Sequence, residues 1–149
     1  MGTVDFQRYG GGAMDNELIG GSTYLGIIWI GGSNGTLASV HSAFNSCNGC
    51  YVYENGAVTG QSLVQLSGYP YCDNLGGIQS CNVQDTYAVS GVGCQDGDSG
   101  NPVFAYDGGG GVTAVGIHHA GNGAGYCIYT ELPPILSYWR ATITTGYLR

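Results

Sequence analysis

The chain has no lysine. Arg8, Arg140 and Arg149 are its only cations, set against ten acidic residues, and the net charge is −7. Nucleic acids and anionic membranes are bound through clusters of Lys and Arg, so this balance argues against both as partners. No apolar run is long enough to cross a bilayer. Met1-Gly-Thr-Val-Asp5 has neither the basic start nor the apolar centre of a signal peptide, so the chain reads as mature, truncated or a fragment. There is no internal repeat and no clear interdomain linker, and 149 residues suit one domain, or most of one.

Glycine (29), tyrosine (12) and cysteine (6) are plentiful. With so few charges, this composition fits a secreted, disulfide-bearing β protein. Asn34-Gly35-Thr36 is a glycosylation sequon that counts only in a eukaryotic secretory host. Short apolar, β-branched and aromatic runs alternate with Gly, Asn, Ser and Asp, the pattern of an all-β sandwich or barrel. Strands are predicted at Thr23–Ile30, Cys50–Tyr53, Ser62–Ser67, Thr86–Ser90, Pro102–Tyr106, Val112–His118 and Tyr126–Thr130. Asp107 to Gly111 reads as a hairpin tip, and the opening residues around Gly10-Gly11-Gly12 as loop. One helix is predicted, opened by Leu132-Pro133-Pro134, with Ile135, Leu136, Tyr138, Trp139 and Ile143 as its apolar face.

Gly97-Asp98-Ser99-Gly100 carries the chemistry. Acyl-bond hydrolysis needs a nucleophile and two N–H donors aimed at the oxyanion, and glycines beside a serine free the backbone to supply them. Asp98 would anchor the loop by pairing with a buried cation or amine. The plain alternative is a Gly/Asp/Ser turn, common in glycine-rich chains.

The flanks extend the motif. Cys94-Gln95-Asp96-Gly97-Asp98-Ser99-Gly100-Asn101-Pro102-Val103-Phe104 is followed by Val115-Gly116-Ile117, a glycine-rich loop, Cys127, Tyr129 and the terminal helix. This order resembles the second barrel of chymotrypsin-fold serine peptidases, and most of all the streptogrisin-type bacterial enzymes. Met14-Asp15-Asn16-Glu17-Leu18-Ile19-Gly20-Gly21 is similar to that family's catalytic-aspartate segment, with Asp15 84 residues before Ser99.

The resemblance implies an all-β, chymotrypsin-like Greek-key barrel with a C-terminal helix. Residues 1–36 would be a remnant of the first barrel with the crossover, and 37–149 the second barrel. It implies Ser99 as nucleophile, the N–H groups of Gly97 and Ser99 as oxyanion hole, and Asp15 orienting a histidine base. It places His119, Ala120 and Gly121 along the substrate channel, and the base of the primary pocket at Val92-Gly93. No acid stands there, so an apolar or small substrate side chain is expected rather than Arg or Lys. Asn101 replaces the second glycine that usually follows the serine.

One part of the pattern is missing. The family's histidine precedes its aspartate, and the fourteen residues before Asp15 contain none. His41 reads as a locally bonded residue near the crossover. His118 and His119 lie on one strand, where alternation turns one to the core and the other to the cleft. A His-His metal site has no evident third ligand at metal spacing. The base would come from a separate or longer polypeptide, or catalysis has been lost; without it, rates fall by orders of magnitude.

Six cysteines allow fifteen pairings. The resemblance implies Cys94–Cys127 bracing the pocket and Cys72–Cys81 closing a short loop. Cys47-Asn-Gly-Cys50 would bridge across its own turn; zinc or redox chemistry is the alternative, and the extracellular composition favours disulfides. The reading is a secreted serine endopeptidase acting on protein or peptide, with no cofactor and no metal. Its expected partner is an N-terminal protease half or a second copy, because a lone second barrel exposes an apolar face. The alternatives are a non-catalytic extracellular binding or assembly module on the same barrel, or an esterase of another fold. The proline-led strand after Ser99 counts against the esterase.

Overall fold

The computed structural model describes residues 3–8, 16–20, 25–45, 47–75 and 77–146. Ten strands are described: β1 (Thr3–Arg8), β2 (Asn16–Gly20), β3 (Ile27–Ile30), β4 (Thr36–Ala43), β5 (Tyr51–Gly56), β6 (Gly60–Leu75), β7 (Ile78–Ser90), β8 (Pro102–Tyr106), β9 (Val112–Gly121) and β10 (Tyr126–Glu131). They precede one helix, α1 (Leu132–Trp139).

β10, β7, β6, β5, β8 and β9 pair in that order, and β9 pairs back to β10, closing a six-stranded barrel. Closure leaves the barrel without an edge. β4 joins outside this ring as a parallel neighbour of β9, and β3 pairs with β4 as a hairpin. The fold is therefore the expected all-β barrel with a C-terminal helix.

Side chains alternate across each strand, and β8 shows the result. Val103 joins the barrel interior with Val52, Val64, Leu66, Val115 and Tyr129. Its neighbour Phe104 faces the other way, into a cluster with Ile30, Ala38, Val40 and Val112. The second core lies between the barrel wall and the β3–β4 layer. Each fully buried aliphatic or aromatic side chain contributes about 1.5–3 kcal/mol, so both layers matter to stability.

Several elements differ from their sequence expectations. Thr3–Arg8 is a strand paired with β2, not loop, while Gly10 to Gly12 lie outside the described residues. β4 was not foreseen as a strand. β6 and β7 run several residues past the predicted boundaries, forming a long hairpin arm. That arm is tied by Cys72–Cys81 and by the hydroxyls of Tyr71 and Tyr126, which both donate to Asp85 Oδ1 (2.6 and 2.8 Å). Local propensity does not report such cross-strand ties, so it ends the strands too early. Finally, α1 stops at Trp139, and Ile143 packs on the second core from the extended tail.

Candidate active site

Ser99 sits in a loop shaped by its neighbours. Gly97 has φ +97°, and a Cβ there would lie 2.8 Å from Val58 Cγ2, so only glycine fits. Asp98 turns inward and is buried. Its Oδ1 accepts from the N–H groups of Val58 (2.8 Å) and Thr59 (3.4 Å), and its Oδ2 from the Thr59 hydroxyl (2.8 Å) and Gln95 N–H (3.0 Å). Burial alone would push this carboxyl up; the four hydrogen bonds outweigh it and hold Asp98 below the usual carboxylate range. The expected cation or amine is not among these partners. In a chain without lysine, the turn between β5 and β6 supplies main-chain donors instead.

Beyond Ser99 the loop is fastened to β9. Gly100 N–H donates to the His118 carbonyl (2.9 Å), and His118 N–H donates to the Asn101 carbonyl (2.8 Å). Asn101 closes the turn by donating both its backbone N–H and its side-chain amide to the Asp98 carbonyl. Among the described residues, no hydrogen bond uses the N–H of Gly97 or Ser99. Ser99 Oγ donates to the main-chain carbonyl of His119 at 3.5 Å. Asp15 lies outside the described residues.

His41 is far from this loop. β4 meets β9 at Val112–Ala114, and His118, to which the Ser99 loop is fastened, stands four to six residues further along. At about 3.3 Å per residue this is a run of roughly 13–20 Å along β9. His41 Nδ1 bonds Asp107 Oδ2, and its ring packs on Gly111. Asp107 also accepts from the N–H groups of Gly109 and Gly111. The Gly109 N–H first, then the Gly111 N–H and His41, hold its carboxyl below the ordinary range. His41 thus pins the 107–111 hairpin tip. His41→Ala is expected to speed proteolysis and amide exchange at that tip while leaving the reactivity of Ser99 unchanged, as a protease digest and labelling of one preparation would show.

His118 is the core-facing member of its pair. It is 4% exposed, and its Nδ1 lies 3.7 Å from Glu54 Oε2 inside the barrel. Glu54 Oε1 accepts from the Thr86 hydroxyl at 2.7 Å. Burial pushes Glu54 up to about 7, opposed by the Thr86 hydrogen bond and helped by the charge of Asp98. Burial likewise pushes His118 down; Asp98 opposes this and His119 adds to it. Glu54 was missed from sequence. Its signal was parity with Val52 on one strand, which turns both side chains inward.

Cys94–Cys127 braces the loop against β10, and Cys47–Cys50 and Cys72–Cys81 complete three disulfides. Gly121 lies against the first of these; a Cβ there would be 2.1 Å from Cys94 Sγ. Beside it a cavity of about 350 Å³ is lined by Gln95, Asp96, Gly121, Asn122 and Gly123. Of the expected pocket residues, Gly121 lines this cavity, Val92 is exposed and Gly93 is buried; Gln95, Asp96, Asn122 and Gly123 were not foreseen. A larger apolar groove of about 660 Å³ lies next to the loop, with Trp29, Ile28, Ala57, Pro102, Ile117 and Leu132 in its walls; it reaches Gly100 and Asn101.

Solved serine proteases share the fold of this chain. Thermobifida fusca protease A matches with a TM-score of 0.73 at 21% identity, over 89% of this chain and 69% of that one. Cellulomonas bogoriensis chymotrypsin matches at 0.72 and 18% identity, over 89% and 70%. The chain has the chymotrypsin-like serine-protease fold. A glutamic acid specific serine protease that uses a histidine triad in substrate binding also matches, at 0.68 and 26% identity, over 87% of this chain and 67% of that one. The chain thus spans about two thirds of the length of these proteases. No family model and no curated protein matches the sequence. Within the protease fold, the Ser99 loop and its disulfide belong to the closed barrel, and the apolar groove borders them. Among the described residues no helix is long and apolar enough to cross a membrane.

Proposed function

We propose that this chain is the serine-bearing part of a secreted serine endopeptidase whose histidine base comes from polypeptide outside this sequence. The observation that carries the reading is the Ser99 loop, held by Asp98 from one side and by β9 from the other, in a protease fold. Ser99 attacks the peptide carbonyl, and the N–H groups of Gly97 and Ser99 receive the oxyanion. Asp15 orients the incoming imidazole, which takes the serine proton and passes it to the leaving amine. The acyl-enzyme is then hydrolysed by water. Residues 1–36 are the remnant of a first barrel with the crossover, and 37–149 the second barrel.

The apolar groove supports an N-terminal partner. It abuts Gly100 and Asn101, so a polypeptide seated there arrives beside Ser99. Leu25 and Trp29 at its wall are 70% and 48% exposed, as expected of a face that is normally covered. The cavity at Gly121 is lined mostly by polar residues (Gln95, Asp96 and Asn122), not by the apolar or small wall expected at Val92-Gly93. Asp96 in its lining disfavours an acidic substrate side chain, unlike the specificity of the glutamic acid specific neighbour. The disulfides and the low charge suit an extracellular protein.

A non-catalytic module on the same barrel is the second reading. It is favoured by the engagement of His41 with Asp107 and of His118 with the barrel interior. A serine-directed fluorophosphonate separates the two. Together with the polypeptide encoded upstream, the chain is expected to label stoichiometrically at Ser99, and Ser99→Ala to lose the label. An upstream frame carrying a Thr-Ala-x-His-Cys-like segment would identify that polypeptide. Absence of labelling in its presence leaves the non-catalytic reading standing.

A further inference from the structure

The barrel interior holds a donor set that proteolysis does not use. Glu54, Cys94, His118 and Cys127 each offer one ligand atom, and these four atoms lie within 4.8 Å of one another. They come from β5, the nucleophile loop, β9 and β10, so only barrel closure brings them together. All four residues are at most 4% exposed. Two of the donors, Glu54 Oε2 and His118 Nδ1, are buried and have no hydrogen-bond partner. Buried polar atoms without a hydrogen bond are costly even where, as here, they face one another at 3.7 Å, and a metal ion satisfies both at once.

We propose that this cluster is a latent, redox-gated site for a zinc-class divalent ion, closed while Cys94–Cys127 is oxidised and open when that disulfide is reduced. Two thiolates, one imidazole and one carboxylate make a soft, four-coordinate set of the kind zinc takes. Metal bonds of about 2.0–2.3 Å place tetrahedral donors roughly 3.3–3.8 Å apart. The carboxylate and imidazole already stand 3.7 Å from one another. The sulfurs have to separate from their bond, and the remaining donor pairs, all within 4.8 Å, have to close to that spacing.

The chemistry balances with a phosphine as reductant. The phosphine attacks one sulfur and breaks the S–S bond, and water supplies the oxygen of the phosphine oxide and the two thiol protons. The entering M²⁺ displaces both thiol protons, together with any proton on Glu54, to solvent. A metal crosslink then replaces the covalent one between the nucleophile loop and β10.

The test is a cobalt(II) titration of the full chain in which Cys47, Cys50, Cys72 and Cys81 are serine, leaving one disulfide. Near-UV circular dichroism is followed in parallel. After phosphine reduction the chain is expected to bind one equivalent, with tetrahedral visible bands and thiolate-to-cobalt charge transfer, and to keep or regain its near-UV spectrum. The oxidised chain is expected to bind none. Glu54→Gln and His118→Asn are each expected to weaken binding at least about tenfold and to alter the visible bands. Three outcomes overturn the proposal: no stoichiometric binding after reduction, binding without a native near-UV spectrum, or binding indifferent to both substitutions. None of these readouts requires peptidase activity, so failure here leaves the proposed function untouched.

Discussion

Replacing Asp98 with alanine is expected to destabilise the protein by roughly 3–5 kcal/mol. The carboxylate occupies a buried site where it receives three main-chain N–H groups and one hydroxyl. Removing it strands those donors away from water, and each buried donor left unpaired costs about 1–3 kcal/mol, less than additively. The loss should appear as a lower urea midpoint at unchanged slope. Asp98→Asn keeps an acceptor but turns an N–H₂ group toward donors, so an intermediate loss is expected. The acid limb gives a second check. Because the folded carboxyl is held below its ordinary value, the anion's contribution is complete above the unfolded value, about 3.9. It is lost as pH falls from there through the folded value. Asp98→Ala should lack that part of the acid transition. A variant as stable as the parent would show that the tether between loop and β5–β6 turn carries no weight.

The second large effect concerns Glu54 and His118 in the disulfide-bonded protein. Glu54 rises from 4.5 to about 7 on folding. Between those values the unfolded chain has given up the proton while the native protein still holds it. The native state then binds more protons, so stability falls as pH rises across this window, by roughly 3 kcal/mol in all. His118 works in the opposite sense. Its folded value is lowered, so below about 6.5 the unfolded state takes up a proton that the native state refuses, and stability falls as pH falls. Below about pH 6.5, wherever His118 titrates, the two slopes oppose each other, so the parent profile should be shallower than that of either single variant. Glu54→Gln is expected to leave only the His118 slope, with stability rising with pH up to about 6.5 and then level. His118→Gln should leave the reverse, a decline from about 4.5 to 7. Thermal unfolding across that range checks both. A Glu54→Gln profile that parallels the parent's contradicts the account.

Much of the barrel is legible along the chain because alternation with period two is a local property. Val52, Val64 and Val115 declare their inward faces without reference to one another. The Ser99 loop is legible for a similar reason, since the glycines at 97 and 100 advertise positive φ before any partner is known. The extra length of β6 and β7 is not legible. It depends on cross-strand ties such as Cys72–Cys81 and the two tyrosines on Asp85. β4 escapes notice because its place is set by parallel pairing to a strand about seventy residues later.

Sequence alone determined the all-β class, the turn that presents Ser99 and the absence of any histidine before Asp15. These follow from residue type and short spacing, which no long-range contact alters. Tertiary structure decided what holds Asp98, which histidine faces the core, and how far His41 stands from the serine. It also set Glu54 beside His118 and the Cys94–Cys127 bridge. Each of these depends on barrel closure, which fixes distances between residues whose separation along the chain says nothing about their separation in space.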